Sequence, residues 1–105
     1  MHIFKKCLVI SLISIFFFNN AESNDDFAEG RKIFMEKGNC AMCHALSDAG
    51  SKGNIGPNLN DVKPSELRVV GAVTNGIGVM PAYEGILNES EIKAVAKYVS
   101  EAANK

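Results

Sequence analysis

Apolar residues are distributed along this chain in four distinct patterns. The first is a run from Cys7 to Phe18, broken only by Ser11 and Ser14 and preceded by Lys5 and Lys6. From Asn19 to Ser23 the chain turns polar, with small residues at Ala21 and Ser23. A basic start, a short apolar stretch and a small-residue exit make up the layout of a secretory signal. Residues 1–23 are therefore expected to be removed on export, leaving residues 24–105 as one domain. A spanning helix needs about 20 apolar residues, more than this run offers; an uncleaved membrane anchor is the alternative. Cys7 precedes the run instead of closing it, the wrong place for a lipid-attachment cysteine.

The remaining three patterns have helical period. Phe27, Gly30 and Phe34 share one face of a helix expected from about Asp25 to Lys37, with Asn24 or Asp25 as its cap. Gly38 is expected to supply a left-handed stop. Pro64 to Asn75-Gly76 reads as a second helix in spite of its valines. Proline at the start, glutamate in the first turn and glycine at the end favour that reading, with Leu67, Val70 and Val73 expected inward. The last pattern is the best signalled. Asn88-Glu89-Ser90-Glu91 fits a capping box flanked by a Leu87–Ile92 staple. Ile92, Val95, Tyr98 and Val99 then form an inward stripe opposite Lys93, Lys97 and Glu101. Residues 45–63, with Gly50, Gly53, Gly56 and Pro57, make a long loop that needs a purpose. The expected class is all-α, with three or four helices.

A domain of this size is marginal without a disulfide, metal or large cofactor. Only Cys40 and Cys43 remain after processing, so no disulfide framework is available. They belong to Cys40-Ala-Met-Cys43-His44, and C-x-x-C-H is the attachment signature of c-type haem. Two thiols at this spacing can each add across one haem vinyl group, and the adjacent imidazole can bind the iron. Zinc would want four protein ligands, and no second pair of cysteines or histidines exists. A thioredoxin-like pair would want a βαβ surround. A disulfide closing so short a loop would add little stability.

His2 leaves with the signal, so His44 is the one mature histidine and bis-histidine ligation within the chain is excluded. Three methionines compete for the other axial position. Met42 lies inside the attachment loop, and Met35 sits at helical spacing among core positions. Met80 lies in Asn75-Gly-Ile-Gly-Val-Met80-Pro81-Ala-Tyr83, where glycines and proline predict a loop free to project a thioether. Ordinary core filling is the alternative for Met80.

The chain resembles a class I cytochrome c over residues 25–103. In that family a methionine before proline, following a helix that ends in Asn-Gly, is the sixth iron ligand, and Met80 matches it. Gly56-Pro57-Asn58-Leu59 matches the family's Gly-Pro-x-Leu loop. The resemblance gives the Pro57 carbonyl the role of accepting a hydrogen bond from the proximal His44, a contact that orients the imidazole. It also implies that the first and last helices cross at Gly30 and Phe34, against Val95 and Tyr98.

The segment from Asp48-Ala-Gly to Gly56-Pro-Asn-Leu, with Gly76-Ile-Gly-Val-Met80-Pro-Ala, is similar to small cytochrome subunits of bacterial sulfite dehydrogenases. In those systems a molybdenum subunit donates the electrons. Met80-Pro-Ala-Tyr83 and the final helix are similar to cytochrome c6-type carriers. What the resemblance implies is a periplasmic one-electron carrier with one haem c. Its partners would be a donor dehydrogenase and an acceptor oxidase or cytochrome, met as a monomer or within a small complex. An obligate haem subunit is one alternative; a haem enzyme or sensor, should Met80 dissociate, is another. The chain carries a net charge of −1, and losing Lys5, Lys6 and Glu22 takes it to −2. Nucleic-acid partners, which favour basic surfaces, are not expected, nor is a membrane partner once the signal is removed.

Overall fold

The computed structural model describes residues 22–105, with side chains from residue 25 onward. Residues 1–21, most of the expected secretory signal, lie outside the described residues. Four helices follow in order: α1 (Glu22–Met35), α2 (Leu59–Val62), α3 (Glu66–Asn75) and α4 (Glu89–Ala102). One element departs from an all-helical chain. Ala45–Leu46 (β1) and Ser51–Lys52 (β2) pair antiparallel, Ala45 opposite Lys52 and Leu46 opposite Ser51, around a tight turn that closes at Gly50. This small hairpin gives part of the long 45–63 loop its own hydrogen bonds.

The helix boundaries follow their caps. In α4 the Asn88 side chain accepts the Glu91 N–H at 2.8 Å and the Glu91 carboxylate accepts the Asn88 N–H at 3.0 Å, completing the capping box. Leu87 and Ile92 are both buried, as a staple requires. Ser65 caps α3 by accepting the Arg68 N–H, so the helix starts two residues later than Pro64. Its inward face also differs from expectation. Val69 and Val73 are buried, Val70 is half-buried, and Leu67 is 82 % exposed. Leu67 lies two residues from Val69, roughly 200° around the helix, and cannot share its face.

Helix α1 begins three residues before the expected Asp25 and ends at Met35. It closes with the Gly38 N–H donated to the Ile33 carbonyl at 2.7 Å. The left-handed residue that follows is Asn39 (φ 50), not Gly38; asparagine tolerates that region better than most side chains.

The core forms where α1 crosses α4. A Cβ on Gly30 would run into the Ala94 carbonyl oxygen and stand 2.6 Å from the Tyr98 Cβ. The crossing therefore depends on the missing side chain, and it brings Gly30 against Ala94 and Tyr98, with Phe34 and Val95 buried in the same core. Close approach offsets the cost, about 1 kcal/mol, of a glycine within a helix. Tyr98 is fully buried, with its ring centroid 4.9 Å from that of Phe27 and 5.7 Å from that of Phe34. Its hydroxyl donates to Asp48 Oδ2 at 2.8 Å, and Arg31 and Lys105 each approach the same carboxylate at 3.7 Å. Burial, then the neighbouring carboxylate, pushes ionisation of the Tyr98 phenol well above its ordinary range. This cluster ties the hairpin turn to both terminal helices.

Candidate functional site

Between α1 and the hairpin, a single 3-10 turn at Cys40–Met42 reverses the chain. The Cys43 and His44 N–H groups both donate to the Cys40 carbonyl, at 3.1 and 2.9 Å. This bifurcated turn aims Cys40, Cys43 and His44 into one cavity of about 390 Å³. The two cysteines are unbridged, and burial pushes the Cys40 thiol up to about 11. A thiol held protonated at neutral pH is a poor partner for disulfide exchange.

The His44 ring is held by the loop that follows the hairpin. Nδ1 lies 2.8 Å from the Pro57 carbonyl oxygen, which can only accept, so in the neutral ring Nδ1 is the donor and the lone pair falls on Nε2. Gly56 lies under the ring: a Cβ there would stand 2.5 Å from Cε1. The Gly56 N–H donates to the Cys43 carbonyl at 2.8 Å, which docks the loop onto the cysteine turn.

Met80 reaches the same cavity from the segment after α3. Gly76 leaves the helix at φ 72, and Gly78 at φ 57 permits a tight turn. In that turn Ile77 and Met80 exchange backbone hydrogen bonds of 3.1 and 2.9 Å. Among the described residues Met80 is the one methionine that lines the cavity. Met42 points outward and is 65 % exposed; Met35, expected in the core, is 38 % exposed on α1.

The walls are aliphatic, with Leu59, Val69, Val73 and Val99 among them, and Arg68 is the one charged side chain in the lining. An apolar slot of this size in an otherwise packed core invites a large flat ligand. Two thiols, an imidazole nitrogen left free and a thioether fit haem c. Among the described residues no three His, Cys, Asp or Glu side chains converge as a metal site, so zinc lacks a ligand set. Two site residues were not legible beforehand. Tyr83 stands in the lining and donates its hydroxyl to the Gly38 carbonyl at 2.6 Å; Arg68 stands at the opposite end of α3 from Val73. Tyr83 sits in the Met-Pro segment already noted, but nothing in the sequence names the carbonyl it reaches.

Residues 25–99 match the family model for cytochrome C oxidase, cbb3-type, subunit III. The cbb3-type cytochrome c oxidase subunit FixP of Bradyrhizobium diazoefficiens is 42 % identical over 79 residues, covering 70 % of this chain and 27 % of FixP. The chain thus spans about a quarter of that relative. Cytochrome c6 of Synechocystis sp. is 36 % identical over 107 residues, covering 94 % of this chain and 83 % of the relative. The crystal structure of the c-type cytochrome SorU from Sinorhizobium meliloti matches with a TM-score of 0.74 at 55 % identity, covering 78 % of this chain and 95 % of that one. Family, fold and site chemistry agree: this chain belongs to the cytochrome c family and binds haem c covalently.

Proposed function

We propose that Cys40 and Cys43 hold the haem through thioethers, that His44 and Met80 are its axial ligands, and that Pro57 orients the His44 ring. One observation carries this reading. His44 and Met80, from distant segments, line one apolar cavity that both thiols also enter. When bound, the haem would supply a one-electron Fe(III)/Fe(II) couple, and with His44 and Met80 both holding the iron the chemistry would be outer-sphere electron transfer. The chain's own part is to fix the imidazole, exclude water and present a contact edge. Ile55, Ile77 and Val79 form an exposed apolar rim at the cavity mouth suited to a transient redox partner.

The carrier works in the periplasm after cleavage near Ser23, with residues 24–105 as the mature domain. Support comes from the basic, apolar and small-residue sequence of residues 1–23. Among the described residues no helix is long and apolar enough to cross a membrane. Its donor is a molybdenum sulfite dehydrogenase-like enzyme, a reading supported by the segments around Gly56 and Met80. A fixed place in a larger complex is the second reading. FixP and the menaquinol:cytochrome c reductase cytochrome c subunit of Bacillus subtilis are both named as subunits, and this chain matches only part of each.

Optical spectra of the protein from the periplasmic fraction test the site. A sharp ferrous α-band, a weak far-red ferric band and haem that resists acid–acetone extraction are expected. Loss of the far-red band in Met80→Ala would support that ligand, and its retention would sink the assignment. Stopped-flow mixing with a sulfite-oxidising molybdenum enzyme and sulfite tests the donor. Reduction no faster than that of an unrelated cytochrome would remove it.

A further inference from the structure

Tyr83 lies three residues beyond Met80, and its backbone and side chain make contacts in three directions. Its N–H donates to the Val73 carbonyl at 2.8 Å, and its carbonyl accepts the Ile86 and Leu87 N–H groups, both at 2.9 Å. Its hydroxyl donates to the Gly38 carbonyl at 2.6 Å, across 45 positions of sequence. Gly38 is itself fixed, through its N–H to Ile33, and a Cβ there would stand 3.0 Å from Cys40 Sγ. Among the described residues, this hydroxyl makes the one hydrogen bond between the Cys40–His44 side of the cavity and the segment that carries Met80.

Beyond Tyr83, no hydrogen bond among the described residues ties the Met80 turn to the rest of the fold. The two Ile77–Met80 bonds are internal to the turn and attach it to nothing. Ile77 and Val79 stand exposed at the cavity rim, Val79 at 88 %, which leaves the Met80 side chain as the turn's own apolar contact with the core. Beside that contact stands Tyr83, held by its backbone to α3 and by its hydroxyl to Gly38, just ahead of the cysteine turn.

We infer that Tyr83 is a positioning residue for Met80, its hydroxyl latching the methionine-bearing turn across the cavity to the cysteine-bearing turn. This rests on the reading of Met80 as an iron ligand. The latch biases the equilibrium between thioether bound and thioether released. Opening it leaves the fold's main crossing, at Gly30 and Tyr98, untouched.

Tyr83→Phe keeps the ring and removes only the O–H. One neutral hydrogen bond corresponds to about a five-fold change in such an equilibrium. The pH at which the far-red ferric band is lost should therefore fall by roughly 0.7 unit, and cyanide should bind about five-fold faster. Far-UV circular dichroism should show the global melt moving less than the thermal loss of that band. A band and cyanide rate equal to wild type, or a band that moves only in step with global unfolding, would overturn the inference. Should the variant fail to mature, the wild-type ferrous protein decides. The Tyr83 hydroxyl proton should exchange slowly with solvent and become fast in the carbon monoxide adduct, where the thioether has been displaced. Equal exchange in both forms would overturn the latch. A wild type with no far-red band would defeat the Met80 reading itself, which separates the two failures.

Discussion

Gly56 lies so close to His44 that a methyl group at position 56 would stand 2.5 Å from Cε1 and 2.8 Å from Nδ1 of the ring. Absence of a side chain here is what lets the imidazole sit flat on the loop and reach the Pro57 carbonyl. In Gly56→Ala the ring must move, and the ring cannot move without losing that bond. Weakened low-spin spectra and a lower yield of holoprotein are expected, read by optical and electron paramagnetic resonance spectra. Wild-type spectra in this variant would refute the argument.

Two helix glycines make a matched pair. A Cβ at Gly30 meets the Ala94 backbone, which cannot rotate away, whereas a Cβ at Gly71 meets nothing within 4 Å. Gly71→Ala should therefore stabilise the protein by about 0.5–1 kcal/mol through the unfolded chain's lost freedom and helix propensity. Gly30→Ala gains the same term but overpacks the crossing, for a net loss of about 2 kcal/mol. Guanidinium denaturation of both variants checks the contrast. Equal effects would mean that α1 and α4 are not in the contact described.

The α4 cap carries a pH signature. Glu91 accepts the Asn88 N–H, the larger effect, and pairs with Lys37 Nζ at 2.7 Å; both hold its carboxyl below the ordinary 4.5. A carboxylate depressed in the folded state contributes stability that is present above its unfolded value and lost as pH falls through the folded one. Glu91→Gln should therefore be less stable than wild type above 4.5, and the gap should close in stronger acid. Lys37→Met removes only the second cause and should give the same trend in weaker form. A gap independent of pH would contradict the pairing.

Arg68 is the one charged side chain among those lining the cavity. A cation near a redox iron favours the less positive, ferrous state. Arg68→Gln should lower the reduction potential by something on the order of tens of millivolts at a surface-like dielectric. The shift should shrink as salt is added. Spectroelectrochemical titration at two ionic strengths measures it, and an unchanged potential at low salt would place Arg68 too far from the iron to matter.

Local chemistry was legible wherever reach along the chain decides it. The capping box at Asn88 and Glu91 and the Gly76 exit from α3 involve neighbours three or four residues apart, and their residue types leave few alternatives. Reading the sequence failed where three-dimensional phase or backbone strain decides. Leu67 was expected inward because its spacing from Val70 and Val73 is helical, yet the shared face centres on Val69 and Val73. Gly38 was expected to be left-handed, and Asn39 takes that conformation instead. A Cβ on Gly38 would stand 3.0 Å from both Cys40 Sγ and the Ile33 carbonyl oxygen, a crowding that only the folded neighbourhood reveals. The β1–β2 hairpin was missed because two-residue strands carry no periodicity.

By itself the sequence determined that Cys40, Cys43 and His44 stand on one short turn, that three long helices frame the chain, and that Met80 falls in a glycine-bounded loop. Each of these is a short-range matter of bond geometry and local propensity. Only the tertiary structure decided which distant groups meet: Gly56 beneath His44, the Tyr83 hydroxyl on Gly38, and Tyr98 on Asp48. Those contacts depend on how helices pack across tens of residues. Removing or adding one side chain changes the answer there, and no local pattern records it.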